Sequence, residues 1–205
     1  SLEQKQQEYL LKFSKTEEEK IAKIQEMALS PFTSRVIAIG MLNVDTNNGM
    51  VLYHHDDSLA PQKSDDGTID FIAFNEERKL LEEFWNIILR YPQFVTFNGR
   101  SFDCPFLLLR SAMLKVKPTR NLMPYRYDTK QHCDLLEQFT FYGATRRFSL
   151  DFICKSFGLV SPKEQGITGL DLQPLFEQKR FLEIAEYCIG DVKATAELYR
   201  IWLQF

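Results

Sequence analysis

The stretch QFVTFNGRSFDCPFLLLR, residues 93–110, limits what this chain can fold into more than any other. Gln93–Phe97 is a short apolar run with β-branched and aromatic residues, the composition of a buried strand. Asn98–Ser101 holds a glycine and reads as a tight turn. A helix follows over Phe102–Val116, with Asp103 in its first turn and Pro105 just inside it, where a missing N–H costs nothing. A strand that turns directly into a helix places its turn at the carboxyl edge of a sheet, where open α/β sheets keep their ligands. Asp103 sits on that edge. An acidic residue at a helix N-terminus is also favoured simply by the helix dipole. At this point both readings stand.

The rest of the chain supplies the partners. Residues 1–29 form a charged helical arm, and Thr16 with Glu19 resembles a capping box that divides it into two helices. Residues 30–205 form the main domain. RVIAIGMLN, residues 35–43, is a strand, DTNNG at 45–49 a hairpin turn, and Met50–His55 the returning strand. Residues 56–67 read as a surface loop and Thr68–Phe74 as extended. Glu76–Tyr91 is a strongly periodic helix stopped by Pro92. His132–Phe141 fits a strand or a helix equally well. Ser149 caps a short helix that Gly158 ends. Residues 159–172 read as a loop, 175–179 as a helical turn, and 181–203 as the last helix. The order is that of an α/β fold.

The chain has 205 residues, 44% of them hydrophobic, enough for a sizeable core. Its net charge of −3 gives no global positive field to draw in nucleic acid, but a carboxylate-lined metal site would itself add to that acidity. No run reaches the roughly 18 apolar residues of a membrane span. Cys104, Cys133, Cys154 and Cys188 form no C-x-x-C pair, and His54, His55 and His132 have no zinc spacing. These thiols read as reduced and buried, in a cytoplasmic protein.

The second informative stretch is EIAEYCIGDVKAT, residues 183–195. Tyr187 and Asp191, spaced i, i+4, share one helix face, and the neighbouring positions make that face apolar. An aspartate there is costly unless it is paired or binds a metal.

Taken together, NGRSFDCPFL resembles the second exonuclease motif of the DEDD-superfamily 3′–5′ exonucleases, in the form found in family B DNA polymerase proofreading domains. YCIGDV resembles the third motif of the tyrosine subclass, Y-x-x-x-D. HCDLL and RFSLDFICKSFGL are similar to segments of the predicted bacterial exonucleases related to that proofreading domain. The resemblance implies a ribonuclease-H-like mixed sheet flanked by helices. It also implies hydrolysis of single-stranded nucleic acid, DNA ahead of RNA, with two Mg²⁺ or Mn²⁺ ions about 4 Å apart held by carboxylates. Asp103 and Asp191 would be two of the four acidic ligands, and Tyr187 would orient the attacking water. Asn98, Phe102 and Arg100 fall where substrate is contacted, and Asp134 and Asp151 read as structural.

The sequence departs from the family at one place. The other two carboxylates belong to an Asp-x-Glu on the first, central strand, and no Asp-x-Glu occurs in this chain. That strand is expected upstream of Ser1. Two other readings remain: a proofreading domain of a larger family B polymerase, and a nucleic-acid-binding or scaffolding domain without catalysis. Oligomeric state is not legible in the sequence.

Overall fold

A computed structural model describes residues 8–14, 16–160, 169 and 171–205. The loop expected over 159–172 therefore lies mostly outside the described residues. The helical arm is present as a turn of helix at residues 8–11 and α1, Glu17–Ala28. Thr16 starts α1 with the capping box: its hydroxyl accepts from Glu19 N at 3.1 Å, and the Glu19 carboxylate accepts from Thr16 N at 3.4 Å.

The strands are β1 (Ala38–Leu42), β2 (Gly49–His54), β3 (Gln62–Lys63), β4 (Ile69–Phe74), β5 (Phe94–Thr96) and β6 (His132–Asp134). The helices are α2 (Glu77–Ile88), α3 (Asp103–Met113), α4 (Leu135–Phe139), α5 (Leu150–Ser156), α6 (Leu172–Glu177) and α7 (Phe181–Trp202). The ambiguous segment 132–141 is both things in turn, strand β6 and then helix α4. One mixed sheet has the order β1-β2-β4-β3, with β1 antiparallel and β4 parallel to β2. The parallel pair β5-β6 stands beside it. This is the ribonuclease-H-like mixed α/β arrangement.

α7 bridges the two sheets, packing on β1, β2 and β5. Near its C-terminus Arg200 donates to Val44 O at 2.8 Å, just past β1, and Tyr199 donates to Gln93 at 3.1 Å, just before β5. One to three turns earlier it meets Gly40 through Val192 and Cys188. The exit of β1 thus lies beside the entry of β5, and the two strands run in opposite senses. Among the described residues no strand pairs with the outer edge of β1 or with the edge of β5 away from β6. Burial follows the same line. Four consecutive residues of β2 are buried, whereas all three of β5 and four of five in β1 are only half-buried.

α2 is buried along Leu80, Leu81, Phe84, Trp85, Ile87 and Ile88, most of the face its periodicity predicts, but Leu89, which the spacing puts on that face, is exposed just past the end of the helix. A buried ion pair ties it to α3. Arg110 donates to Glu77 through Nε at 2.8 Å and Nη2 at 2.5 Å, and through Nη1 to Pro31 O at 3.1 Å. Glu77 Oε1 also accepts from Val36 N at 2.9 Å, so one carboxylate holds α2, α3 and the entry to β1.

His132 is buried in β6, stacked on Phe94 with ring centroids 4.2 Å apart and bonded to the Thr96 hydroxyl at 2.8 Å. Burial, with the charges of Arg100 and Arg120, pushes its pKa down to about 3. The unfolded chain takes up a proton below its ordinary value of 6.5 while the folded chain does not. Stability should therefore fall as the pH drops from 6.5 toward 3, by up to about 1.4 kcal/mol per unit. His54, lowered mainly by burial, acts in the same direction. Thermal melts of the wild type and His132→Leu across this window should show a shallower slope in the variant. Equal slopes would remove His132 as the cause.

Candidate active site

The turn between β5 and α3 is fixed by a buried carboxylate. Asp134 accepts N–H groups from Asn98 at 2.9 Å, Arg100 at 2.9 Å and Leu136 at 3.1 Å. It shapes the turn and caps α4 at once, the structural role read from sequence. Asn98 takes the left-handed conformation, φ 65°. Gly99 is required next to it, because a Cβ there would fall 2.5 Å from the Thr96 side chain. Phe102 closes the turn, and α3 begins at Asp103.

Asp103 is exposed to solvent at the start of α3, although its carboxyl group is packed among protein atoms. Burial raises its carboxyl pKa, the negative charge of Asp134 adds to this, and its own backbone N–H works against it. Among the described residues it makes no ion pair.

α7 supplies the facing groups. Its approach to β1 requires Gly40, where a Cβ would lie 3.0 Å from Val192 and 3.2 Å from the Cys188 sulfur. Tyr187 bonds to the Asp191 carboxylate one turn on. Burial, Asp191's charge and that bond push the phenol up to about 12, with Cys188 and Asp171 adding. The Cys188 thiol is also raised to about 12, by burial first, then by the charges of Asp191 and Asp103. Both aspartates, distant in sequence, thus bear on one thiol of α7. Asp191 also acts on Cys154, on the buried face of α5, as does Asp151, which pairs with Lys155 at 2.9 Å.

The other residues singled out from sequence separate. Asn98 stays at the turn with its side-chain oxygen buried and unbonded. Phe102 is 38% exposed beside Phe106, with ring centroids 5.8 Å apart. Arg100 is buried, donating to Pro124 O at 3.0 Å and Tyr125 O at 3.3 Å beside Glu137, so its guanidinium anchors a loop. All four cysteines are free, and burial raises each thiol. Sequence reasoning read Cys188 only as a buried thiol and did not single out Asp171. Asp171 stands at the start of α6 in a stretch read as a connector, and its only signal was an acidic residue ahead of a short apolar run.

Asp103, Asp191 and Tyr187 carry only oxygen donors, the kind that suits a hard divalent cation. Among the described residues no ion pair offsets the burial of the Asp103 carboxyl, and a nearby cation would. Among the described residues no three His, Cys, Asp or Glu side chains are grouped to hold a metal. No helix among the described residues is long and apolar enough to cross a membrane.

Residues 29–205 match a family described as predicted 3′–5′ exonucleases related to the exonuclease domain of PolB. Similar curated proteins are archaeal and each is called DNA polymerase 1. That of Sulfurisphaera ohwakuensis is 28% identical over 173 residues, and that of Saccharolobus solfataricus 27% over 177. The protein of Sulfolobus acidocaldarius is 24% identical over 170. Each match covers 80% of this chain and 19% of the relative, so the chain spans about a fifth of the length of these polymerases.

Proposed function

Because the chain belongs to the predicted 3′–5′ exonucleases related to the exonuclease domain of PolB, we propose that it removes nucleotides from the 3′ end of single-stranded nucleic acid, DNA ahead of RNA. What supports this reading is that the negative charges of Asp103 and Asp191, far apart in the chain, both act on the Cys188 thiol, and that among the described residues no ion pair holds Asp103. The names of its relatives favour DNA and support a second reading, the proofreading domain of a larger polymerase.

Asp103 and Asp191 would hold the divalent cations, Mg²⁺ or Mn²⁺, two in the complete site. Bound there, such ions supply a water of lowered pKa and positive charge beside the leaving 3′-oxygen. Tyr187 keeps its proton at any working pH, since its pKa is pushed up to about 12. Its hydroxyl both fixes Asp191 and orients the attacking water. Asn98, with its unbonded side-chain oxygen, and Phe102 line the turn where the terminal nucleotide would rest. Arg100 supports that turn from behind, and no phosphate contact is proposed for it.

The remaining acidic ligands are proposed to lie on a strand between β1 and β5, antiparallel to the first and parallel to the second, carrying an Asp-x-Glu. The test is digestion of a labelled single-stranded oligonucleotide with Mg²⁺ or Mn²⁺. The 205-residue chain is compared with a longer form that includes such a strand. The longer form should shorten the substrate from its 3′ end, and the 205-residue chain slowly or not at all. Equal activity would mean that a different ligand set completes the site. No shortening by either would end the nuclease reading.

In the active form, Tyr187→Phe should slow hydrolysis about 100-fold, the lower end of the usual range for a positioned proton-bearing group. Metal affinity, read by titrating Mn²⁺ against activity, should barely change. A parallel loss of both would give Tyr187 a ligand-holding role instead.

A further inference from the structure

We infer that two exposed aromatic and basic segments, residues 117–130 and 141–152, form the track along which a single-stranded nucleic acid reaches the Asp103 turn. This rests on the exonuclease reading above and extends it to a substrate surface. Both segments are fastened to the turn itself. Arg100 holds the first through the carbonyls of Pro124 and Tyr125. Arg147 of the second donates to the Ser101 hydroxyl at 3.4 Å.

The rings on this surface have no core to fill. Tyr125 is 74% exposed and Phe141 66% exposed. Tyr127 links Tyr125 to Tyr142, with centroids 5.6 and 4.6 Å away. In the second segment Arg146 lies over Phe148 at 5.4 Å, and Phe148 stacks on Phe152 at 4.4 Å. A protein gains nothing by holding such rings in water unless something covers them.

The charge decides what covers them. The chain as a whole is acidic, at −3. Yet these segments carry Lys117, Arg120, Arg126, Lys130, Arg146 and Arg147 against Asp128 and Asp151. Arg126 is paired with Glu137 and Asp151 with Lys155, but among the described residues neither Arg146 nor Arg147 pairs with a carboxylate. Open rings interleaved with unpaired guanidinium groups are the chemistry that holds unstacked bases and their phosphates without reading sequence.

The test is binding of a fluorescent oligothymidylate by anisotropy, in chelator and low salt, so that no hydrolysis is needed. Arg146→Ala with Arg147→Ala should weaken binding at least tenfold and reduce the slope of log affinity against log salt by about 1.4, two phosphate contacts' worth. Tyr125→Ala with Tyr127→Ala should weaken it by a similar factor and leave the slope unchanged, while Tyr127→Phe should bind as the wild type does. Lys63→Ala, on the far edge of the sheet, is the control and should have no effect. Wild-type binding that the Arg and Tyr pairs leave intact would overturn the track and leave the exonuclease reading standing. Preferential binding of a protein partner to these rings, with no oligonucleotide bound at low salt, would overturn it in favour of a protein interface. Loss of hydrolysis in aspartate variants that still bind the oligonucleotide through these residues would confirm the track while bearing separately on the catalytic site.

Discussion

Asp103→Asn and Asp191→Asn should each lower exonuclease turnover by at least about a thousandfold, equivalent to about 4 kcal/mol in the barrier, in a form with a complete ligand set. Under the exonuclease reading, each removes one anionic oxygen ligand while keeping the side chain's shape. Their effects on stability separate them from simple damage. The carboxyl pKa of Asp103 is raised, first by burial and then by Asp134. A carboxyl whose folded pKa lies above its unfolded value subtracts stability once the pH exceeds the unfolded value. Asp103→Asn should therefore raise the melting temperature at pH 7 and leave it unchanged well below pH 3.8, where the unfolded group is also neutral. Activity and thermal melts on the same preparation check this. A variant that is both inactive and less stable would mean that Asp103 supports the fold and does not hold the metal.

The second large effect concerns the fold. Arg110→Ala should destabilise the chain by about 3–5 kcal/mol, because it strands the Glu77 carboxylate in a buried site. Glu77→Ala should cost a similar amount, since it strands the guanidinium and the Val36 N–H. The double variant Glu77→Leu/Arg110→Met should recover most of the loss, because apolar groups of similar volume leave no charge unpaired. Urea unfolding of the four proteins gives the comparison. Additive losses in the double variant would show that the two side chains act independently.

Elements written by local rules were legible in the sequence. The capping box at Thr16, the buried face of α2 and the strand-turn-helix at 93–113 need only neighbours a few residues away. The segment 132–141 was ambiguous because Asp134 serves two elements, closing β6 and capping α4. The parallel pairing of β4 with β2 was not legible, since it depends on how residues 55–68 cross over. Arg100 reads from sequence as a phosphate contact or a solvated turn arginine. Its burial comes from the loop at 124–125, which no local pattern announces. Asp103 and Asp191 stood out as residue types in the right setting. That both bear on Cys188 is a property of how α7 crosses the sheets.

That crossing has a mechanical consequence. Asp103 rides on the β5 half of the molecule, and Asp191 on a helix that leans on the β1 half through Gly40. No backbone ladder joins the halves among the described residues. Within the described residues the two carboxylates are therefore placed by side-chain contact, which slides in fractions of an ångström, and not by strand register, which moves only in whole residues. Under the exonuclease reading, that spacing is a continuously adjustable gauge until a strand between β1 and β5 fixes it. Substitutions of one methyl group along the seam of α7, at Val192 or Cys188, would turn its screw.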